Sequence, residues 1–505
     1  MILAQRATAE TPIVIVGAGP AGLTSALELA RRRVPVLVVE ADHCVGGLAR
    51  TVEFRGFRFD IGGHRFFTKL PAVRDLWRSM LGADFLRRPR LSRIFYNGRF
   101  FNYPLKPLNA LRNLGVIRTA GVLASYVWIK LRPVRPEVSF EDWVTNRFGR
   151  RLYRIFFATY TEKVWGIPGA AINARWAAQR IQDFSLGTAL VHMLVPYVNR
   201  RAGREVKTLV DEFEYPRLGP GMMWEAFARE VERLGGRVLL NARVTSLLHD
   251  GRRVRAVEFE HDGVRVTQPA SNVISTMPLT HLIRSLGSAV PPDVRRTSQD
   301  LKYRDFLTVV LIVDQPDVFP DNWIYIHDSA VKVGRIQNFK NWSPDMVPDA
   351  SKTCLGLEYF CSPGDEIRSL TDDQLLALAT KGIGAIGLVD PVKVIGGVVA
   401  HAACAYPIYD EGYADAVRVV RQYLQRFENL QTIGRNGTHA YNNQDHSMFM
   451  GMLAVRNLFG ERHDLWAIHP HADYLEAGGD SLDLTLSSEV RPLVSTQPLV
   501  PTPVR

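Results

Sequence analysis

Ile13-Val14-Ile15-Val16-Gly17-Ala18-Gly19-Pro20-Ala21-Gly22 opens a segment that runs on through an apolar stretch to Arg33 and then into Val36-Leu37-Val38-Val39-Glu40. The first four residues read as a short buried strand, the glycines as a tight turn, residues 20–33 as a helix and residues 36–39 as a second strand. Each glycine has its own physical role. Gly17 permits the turn, Gly19 lets backbone approach a pyrophosphate, and Gly22 lets the helix pack closely on the strand. The helix N-terminus then faces the phosphates. Glu40, ending the second strand, is placed to accept hydrogen bonds from a ribose diol. A glycine triplet alone is a weak signal, but strand, glycines, helix, strand and acid in this order indicate a dinucleotide-binding fold.

Around this segment the chain has 505 residues, enough for two or three domains, and 46% hydrophobic with 22% charged residues describe a globular α/β protein. A formal charge of +11, from 62 basic and 51 acidic residues, favours anionic partners without choosing among them. The basic knots at residues 31–33, 87–93, 147–154 and 200–204 read as mostly solvated helix faces. No module interleaving basic and stacking aromatic residues is visible, so no nucleic-acid partner is expected. Cys44, Cys354, Cys361 and Cys404 fit neither a zinc site nor a disulfide framework, and no metal constellation is found. The opening residues lack the apolar run of a secretory signal. A reducing, cytoplasmic location is therefore expected. Residues 114–131 are the most apolar helical stretch but carry Arg118 and Lys130, so a transmembrane span is not expected. That stretch and residues 186–198 read as buried helices, with peripheral contact to a membrane as the alternative.

Residues 71–203 read as helix-rich and basic, with few strand signals. Residues 237–273 read as short alternating strands with turns at Asp250-Gly251 and Asp262-Gly263. Strands and loops follow over residues 306–405, with one convincing helix near 372–387, then a final helix over about 447–459. The tail beyond 477, rich in Gly, Ser and Pro, reads as loosely ordered.

Glu40 is followed by Gly46-Gly47-Leu48-Ala49-Arg50 and then by Asp60-Ile61-Gly62-Gly63-His64. These motifs resemble the flavoprotein superfamily that contains amine oxidases, protoporphyrinogen oxidases, phytoene desaturases and UDP-galactopyranose mutases. In that superfamily the second glycine pair follows the ribose-binding acid, and the Gly-Gly-His loop lies against the isoalloxazine ring, where a planar group needs side-chain-free backbone. On residues alone, a plain turn at Gly62-Gly63 is the alternative. The resemblance implies FAD, held by Gly17, Gly19, Gly22, Glu40, Gly47, Leu48, Ala49, Arg50, Gly62, Gly63, His64, Val244, Gly434, Arg435, Asn443, Gln444 and Asp445. If Asp445 caps the last helix, its amides point at the flavin edge where negative charge accumulates on reduction; an ordinary N-cap is the alternative.

Lys163-Val164-Trp165-Gly166-Ile167-Pro168, with Trp176 and Arg180, resembles the mobile nucleotide-closing loop of UDP-galactopyranose mutases, especially the eukaryotic-type members. Trp323, Tyr325 and Arg335 resemble a second mutase motif, in which the arginine also grips the pyrophosphate. Two guanidinium forks suit a diphosphate. By the same resemblance, Tyr103, Lys106, Thr161, Trp165, Arg180, Trp323, Tyr325, Arg335, Trp342, Tyr406, Tyr441 and Asn443 form the substrate site, and His64, Arg180, Arg335 and Arg435 take catalytic roles. Lys106, Thr161 and Trp342 depart from the eukaryotic-type pattern, so diphosphate recognition is better specified than the nucleotide or the sugar.

The expected fold is α/β: a discontinuous Rossmann-type FAD-binding domain over residues 1–70, 204–278 and 430–475, with an inserted helical domain carrying the mobile loop at 71–203. An antiparallel β-sheet substrate domain follows at 279–429, and the tail is 476–505. The expected activity is a flavin-dependent mutase that interconverts pyranose and furanose forms of a nucleotide-diphosphate sugar through a reduced-flavin N5 adduct, with NAD(P)H as a candidate external reductant. The alternatives are an FAD-dependent oxidase or desaturase acting on an apolar or glycan-linked substrate and, more weakly, a non-catalytic flavoprotein that binds nucleotide sugars.

Overall fold

The computed structural model describes residues 11–174, apart from 104 and 106, and residues 212–468. Its first sheet is five-stranded and parallel, in the order Leu430–Thr432, Val273–Ser275, Ile13–Val16, Val36–Val39, Arg237–Leu239. Ile13–Val16 lies at the centre with every side chain buried, as its unbroken β-branched run requires. The chain returns to this sheet from three distant places, which makes the dinucleotide fold discontinuous, as expected. The strand order reverses beside Ile13–Val16, and in such sheets the crevice at the carboxyl ends of the strands is where ligands bind.

Two larger sheets complete the frame, beside the two-stranded ribbons Thr51–Phe54 with Phe57–Asp60 and Phe85–Pro89 with Glu212–Pro216. Ala242–His249, Val254–His261 and Val264–Pro269 form an antiparallel meander, turning at the two Asp-Gly pairs read from the sequence. Asp262 and Gly263 both adopt positive φ, +48° and +76°, the conformation a tight hairpin demands. The seven-stranded sheet runs Val394–Pro407, Tyr303–Val313, Thr353–Cys361, Arg335–Asn338, Trp323–Ile326, Ser92–Tyr96, Arg99–Asn102. It is antiparallel except where Trp323–Ile326 meets Ser92–Tyr96 in parallel. Thr353–Cys361 is buried at all nine positions because the sheet is covered on both faces. The helix Asp372–Ala385, started by a Thr371/Gln374 capping box, contributes Leu375, Ala379 and Ile383 to one of the two covering cores.

The region read as having few strand signals differs here: residues 85–102 form three strands, Phe85–Pro89, Ser92–Tyr96 and Arg99–Asn102, and two of them join the seven-stranded sheet. The arginines at 87, 88, 90, 93 and 99 interrupt its period-2 pattern. They are not a solvated helix face, since Arg93 pairs with the buried Asp321 at 2.6 Å. The final helix is Gln444–Leu458, three residues earlier than the apolar pattern indicated. Among the described residues no single helix is long and apolar enough to cross a membrane.

Asp60 ties these parts together. It ends the strand Phe57–Asp60, is fully buried, and accepts hydrogen bonds from the Tyr215 hydroxyl and, at 3.0 Å, from Thr51 Oγ1. Burial without a cationic partner pushes its pKa from 3.8 up to about 8. The folded protein therefore holds a proton here that the unfolded chain releases above pH 4, and this contribution to stability is lost as pH rises towards 8. Asp60→Asn is expected to flatten the fall in stability between pH 5 and pH 8 by on the order of 4 kcal/mol, read from urea midpoints at the two pH values. An unchanged slope would remove Asp60 as its source.

Candidate active site

A cavity of about 430 Å³ opens at the reversal point of the parallel sheet and extends under the seven-stranded sheet. Its floor is the first turn. Gly17 sits at φ +101°, and a Cβ there would lie 2.0 Å from Thr276 Oγ1; a Cβ on Gly22 would lie 1.9 Å from the Gly17 carbonyl. Both glycines are thus demanded by packing. Gly19 differs, because a Cβ there would meet only the Gly47 Cα, at 4.0 Å, so the space beside it is open to the cavity. Glu40 accepts the Ala18 amide at 2.6 Å and the Asp42 amide at 2.9 Å, and it lines the same cleft. Burial raises its pKa, and the two amide donors work against that rise.

The upper chamber follows from strand alternation. Along Arg335–Asn338, Thr353–Cys361 and Trp323–Ile326, every second residue faces the cavity side, and register sets Arg335 opposite both Glu358 and Tyr325, with Gln337 opposite Trp323. Arg335 Nε donates to Glu358 Oε2 at 2.6 Å, Gln337 Nε2 to Glu358 Oε1 at 2.8 Å, and Trp342 Nε1 to Gln337 Oε1 at 3.1 Å. Burial opposes the charge on Arg335, but Glu358 and the flanking tyrosines hold its pKa well above the usual value. One of its terminal nitrogens, Nη2, lies 3.7 Å from where a Gly62 Cβ would sit. A Cβ on Gly63 would crowd Gln337 Nε2 at 2.9 Å, so this glycine, too, is fixed by protein packing.

Aromatic rings close the chamber. Tyr103 and Tyr325 have centroids 4.9 Å apart, Trp323 stacks on Trp342 at 5.3 Å, and Tyr406 stacks on Tyr441 at 5.3 Å. Arg435 donates to the Asn442 carbonyl at 2.9 and 3.0 Å and to the Ala405 carbonyl at 3.1 Å, with its guanidinium 4.5 Å from the Tyr441 ring centre. That pattern makes Arg435 a brace for the Ala405 and Asn442 segments. His64 is kept neutral: burial, then the Arg435 and Arg335 charges, push its pKa down to about 3.

Of the residues expected to hold FAD, Gly17, Gly19, Glu40, Gly47, Leu48, Ala49, Gly62, Gly63, His64, Gly434, Arg435, Asn443, Gln444 and Asp445 line this one cavity. Gly22 lies behind it as a packing contact. Arg50 instead closes its own turn, donating to the Gly47 carbonyl at 3.1 Å, and Val244 packs against the core of the small meander. Asp445 is not the cap of the final helix: Asn443 is, and Asp445 Oδ1 lies 3.0 Å from His446 Nδ1. The N-terminal turn of that helix nevertheless borders the cavity through Asn443, Gln444, Asp445 and Ser447.

Of the expected substrate residues, Tyr103, Trp323, Tyr325, Arg335, Trp342, Tyr406, Tyr441 and Asn443 line the chamber. Thr161 and Trp165 are buried outside the lining, with Trp165 edge-on to Tyr406 at 6.3 Å. Lys163 Nζ is held by the carbonyls of Ile326, Asp328 and Val333 at 2.6–3.1 Å. Lys106, Trp176 and Arg180 lie outside the described residues, as do the stretch 186–198 and the tail. Sequence reasoning passed over Arg90, Gln337 and Glu358. Arg90, placed in a basic knot, lines the chamber with its guanidinium 5.7 Å from the ring centres of both Tyr103 and Trp323. Only the correct strand assignment would have exposed it.

The cavity fits a polar ligand. His64 Nδ1, Arg90 Nε, Trp323 Nε1, Asn436 Oδ1, Asn442 Oδ1 and Gln444 Oε1 are buried with no hydrogen-bond partner in the protein, and all six belong to lining residues. Buried polar atoms left this way are costly unless a ligand or water satisfies them. Their division between a glycine-walled cleft and an aromatic chamber suits an elongated dinucleotide carrying a ring at one end.

Residues 20–394 match the family described as flavin containing amine oxidoreductase. Phytoene desaturase (lycopene-forming) of Pantoea ananas is 26% identical over 308 residues, covering 57% of this chain and 60% of that protein. Carotenoid phi-ring synthase of Chlorobaculum tepidum is 25% identical over 303 residues, 57% of this chain and 46% of that protein. The chain thus spans less than two thirds of the length of these curated relatives. A crystal structure of reduced UDP-galactopyranose mutase superposes with a TM-score of 0.76 at 22% identity, covering 90% of this chain and 97% of that one.

Gly19→Val separates ligand binding from folding, because the site tolerates a Cβ while the branches would fill the open space beside it. The variant is expected to fold with native far-UV circular dichroism and to purify with less than about a tenth of the wild-type flavin absorbance. A full complement of flavin would show that the cleft beside Gly19 is not where the pyrophosphate lies.

Proposed function

We propose a function on the premise that this chain belongs to the flavin containing amine oxidoreductase family: it is an FAD enzyme that isomerises a nucleotide-diphosphate sugar between pyranose and furanose forms. The observation that carries this reading is the chamber's charge. Arg90, Arg335 and Arg435 all line it, and Arg335 is held as a permanent cation by a buried carboxylate. A cationic amine would be repelled there, and a hydrocarbon would leave Arg90 Nε and the terminal nitrogens of Arg335 without an acceptor. An anionic diphosphate satisfies them. The likeness to the mutase structure, which concerns the fold alone, agrees with this choice.

Bound FAD, when reduced, supplies a nucleophilic ring nitrogen, and when oxidised it accepts hydride. The remaining work falls to the chain. The cleft lined by Gly17, Gly19 and Gly47 would take the cofactor's pyrophosphate, and Glu40 its ribose. The N-terminal turn of Gln444–Leu458 and the neutral His64 would border the ring, the helix end favouring negative charge on it. Arg335, fixed at its Nε by Glu358, keeps its terminal nitrogens for the substrate phosphates and would stabilise charge on the departing diphosphate. Tyr103, Trp323 and Tyr325 would sandwich base or sugar and exclude water. Arg180, outside the described residues, is the proposed second phosphate ligand.

A second reading, an oxidase or desaturase, has its own support: the curated relatives include a desaturase, and the chamber's aromatic lining suits an apolar substrate as well. Incubation with UDP-galactofuranose and related nucleotide furanoses, with and without dithionite, separates the two. Conversion to the pyranose isomer only with reduced flavin is expected, whereas stoichiometric substrate oxidation with flavin bleaching and no isomer would overturn the mutase. Arg335→Ala is expected to lower turnover by about 100-fold with flavin content retained. Glu358→Gln should lower it by about 10-fold, since it frees Arg335 without deleting it, and near-normal rates in both would refute their roles.

A further inference from the structure

Residues 85–136 contain eleven Lys and Arg and no Asp or Glu, so the chain's whole formal excess of +11 resides there and the remainder balances at 51 basic and 51 acidic residues. Within this segment lie two helices, Pro107–Leu114 and Val116–Leu131, bent by 119° at Gly115. The second reads from its sequence as a buried helix, with peripheral contact to a membrane as the alternative. It buries only Val122 and Ile129. Val116, Ile117, Leu123, Val127, Trp128 and Leu131 are exposed, Val116 and Ile117 at 87% and 88%. At 100° per residue these six, with Ala120 and Ala124, form one contiguous apolar face of roughly 140°.

Along residues 107–136 the charges are all of one sign. Arg112, Arg118, Lys130, Arg132 and Arg135 are exposed, with Arg132 4.9 Å from the Trp128 ring centre and Lys130 5.3 Å from that of Tyr126. An exposed apolar face that carries Trp128 and has a cationic margin matches the interface of an anionic bilayer: acyl chains receive the apolar side chains and phosphates receive the guanidinium groups. A nucleic acid would share the charge but would leave the aliphatic face in water. A helix of 16 residues is about 24 Å long, short of the roughly 30 Å hydrocarbon core, and the 119° bend prevents the pair from acting as one rod. The geometry fits lying on the surface.

We infer that the helix pair Pro107–Leu114 and Val116–Leu131 docks this protein onto anionic membrane surfaces. The platform is fixed to the catalytic body: the Asn102 amide donates to Asn109 Oδ1 at 2.8 Å, Asn113 Nδ2 to the Phe100 carbonyl at 2.9 Å, and Arg99 Nη1 to the Asn113 carbonyl at 2.9 Å. The chain passes from Tyr103, in the cavity wall, to Pro107, the first residue of the platform, within four positions. Docking therefore holds the cavity at a set relation to the bilayer, and the inference does not depend on which reaction the cavity performs.

The test is co-sedimentation of the flavin-loaded full chain with vesicles of phosphatidylcholine alone or with added phosphatidylglycerol. Binding to the anionic vesicles is expected, weakening as salt is raised because exposed charges are screened over about 8 Å at physiological ionic strength. Ile117→Glu combined with Trp128→Glu should weaken it at least 10-fold while leaving flavin content and melting temperature as in the wild type. Should that variant fold poorly, Arg112→Gln with Arg118→Gln and Arg132→Gln, which leaves the apolar face intact, should remove the preference for phosphatidylglycerol. The inference is overturned by wild-type binding in both variants or by absence of binding to anionic vesicles. It is equally overturned by a dimer in vesicle-free solution that Ile117→Glu/Trp128→Glu dissociates, because a second copy would then be the occupant.

Discussion

The helix Pro20–Arg31 is approached so closely on several sides that only glycine fits at the contacts, and the rest of the molecule is arranged around that constraint. A Cβ on Gly22 would overlap the Gly17 carbonyl, one on Gly17 would overlap Thr276, and one on Gly451 would come within 2.6 Å of the Ala21 carbonyl. Ser25 Oγ completes the contact, reaching the Ala21 carbonyl at 3.1 Å and the Gly451 carbonyl at 3.3 Å. Segments far apart in sequence are thereby locked against one helix. The crevice they leave is the floor of the cavity. Among the glycines of the first turn, Gly19 alone faces open space, which is why a glycine with no packing reason to be there reads as a ligand contact.

A second constraint organises the chamber. Burying Arg335 and Glu358 together beneath a sheet is costly in desolvation and is sustained only by a complete set of hydrogen bonds. Glu358 has them, from Arg335 on one oxygen and Gln337 on the other, and Gln337 in turn takes Trp342. The chain of contacts reaches from a potential phosphate ligand to the loop at Gly63 without a mobile link. Replacing the pair by apolar residues would serve folding at least as well, so its presence points to a need for a fixed cation in the cavity rather than for stability.

Charge and apolar surface are distributed with the same economy. The cationic excess is confined to the segment that contributes two strands to the seven-stranded sheet, Arg90 and Tyr103 to the cavity and then the exposed helix pair. Anion recognition inside the molecule and a basic, apolar surface outside it are therefore properties of one stretch of chain.

Local features were legible in the sequence: the strand, glycine turn, helix and strand from Ile13 to Glu40 and the Asp-Gly hairpins follow from period, turn chemistry and motif, and the family resemblance named many of the residues that line the cavity. Those signals are carried by residues adjacent in the chain, and the chemistry of each is nearly independent of its surroundings. Tertiary structure decided the rest. Arg90 became a wall residue because residues 85–102 pair as strands despite their arginines, and Glu358 because register sets it opposite Arg335. Asn443 took the cap expected of Asp445, and Val116–Leu131 was left exposed although its composition reads as core. Each of these depends on which surfaces meet across long separations, and an apolar or charged residue carries no mark in its own sequence of what will cover it.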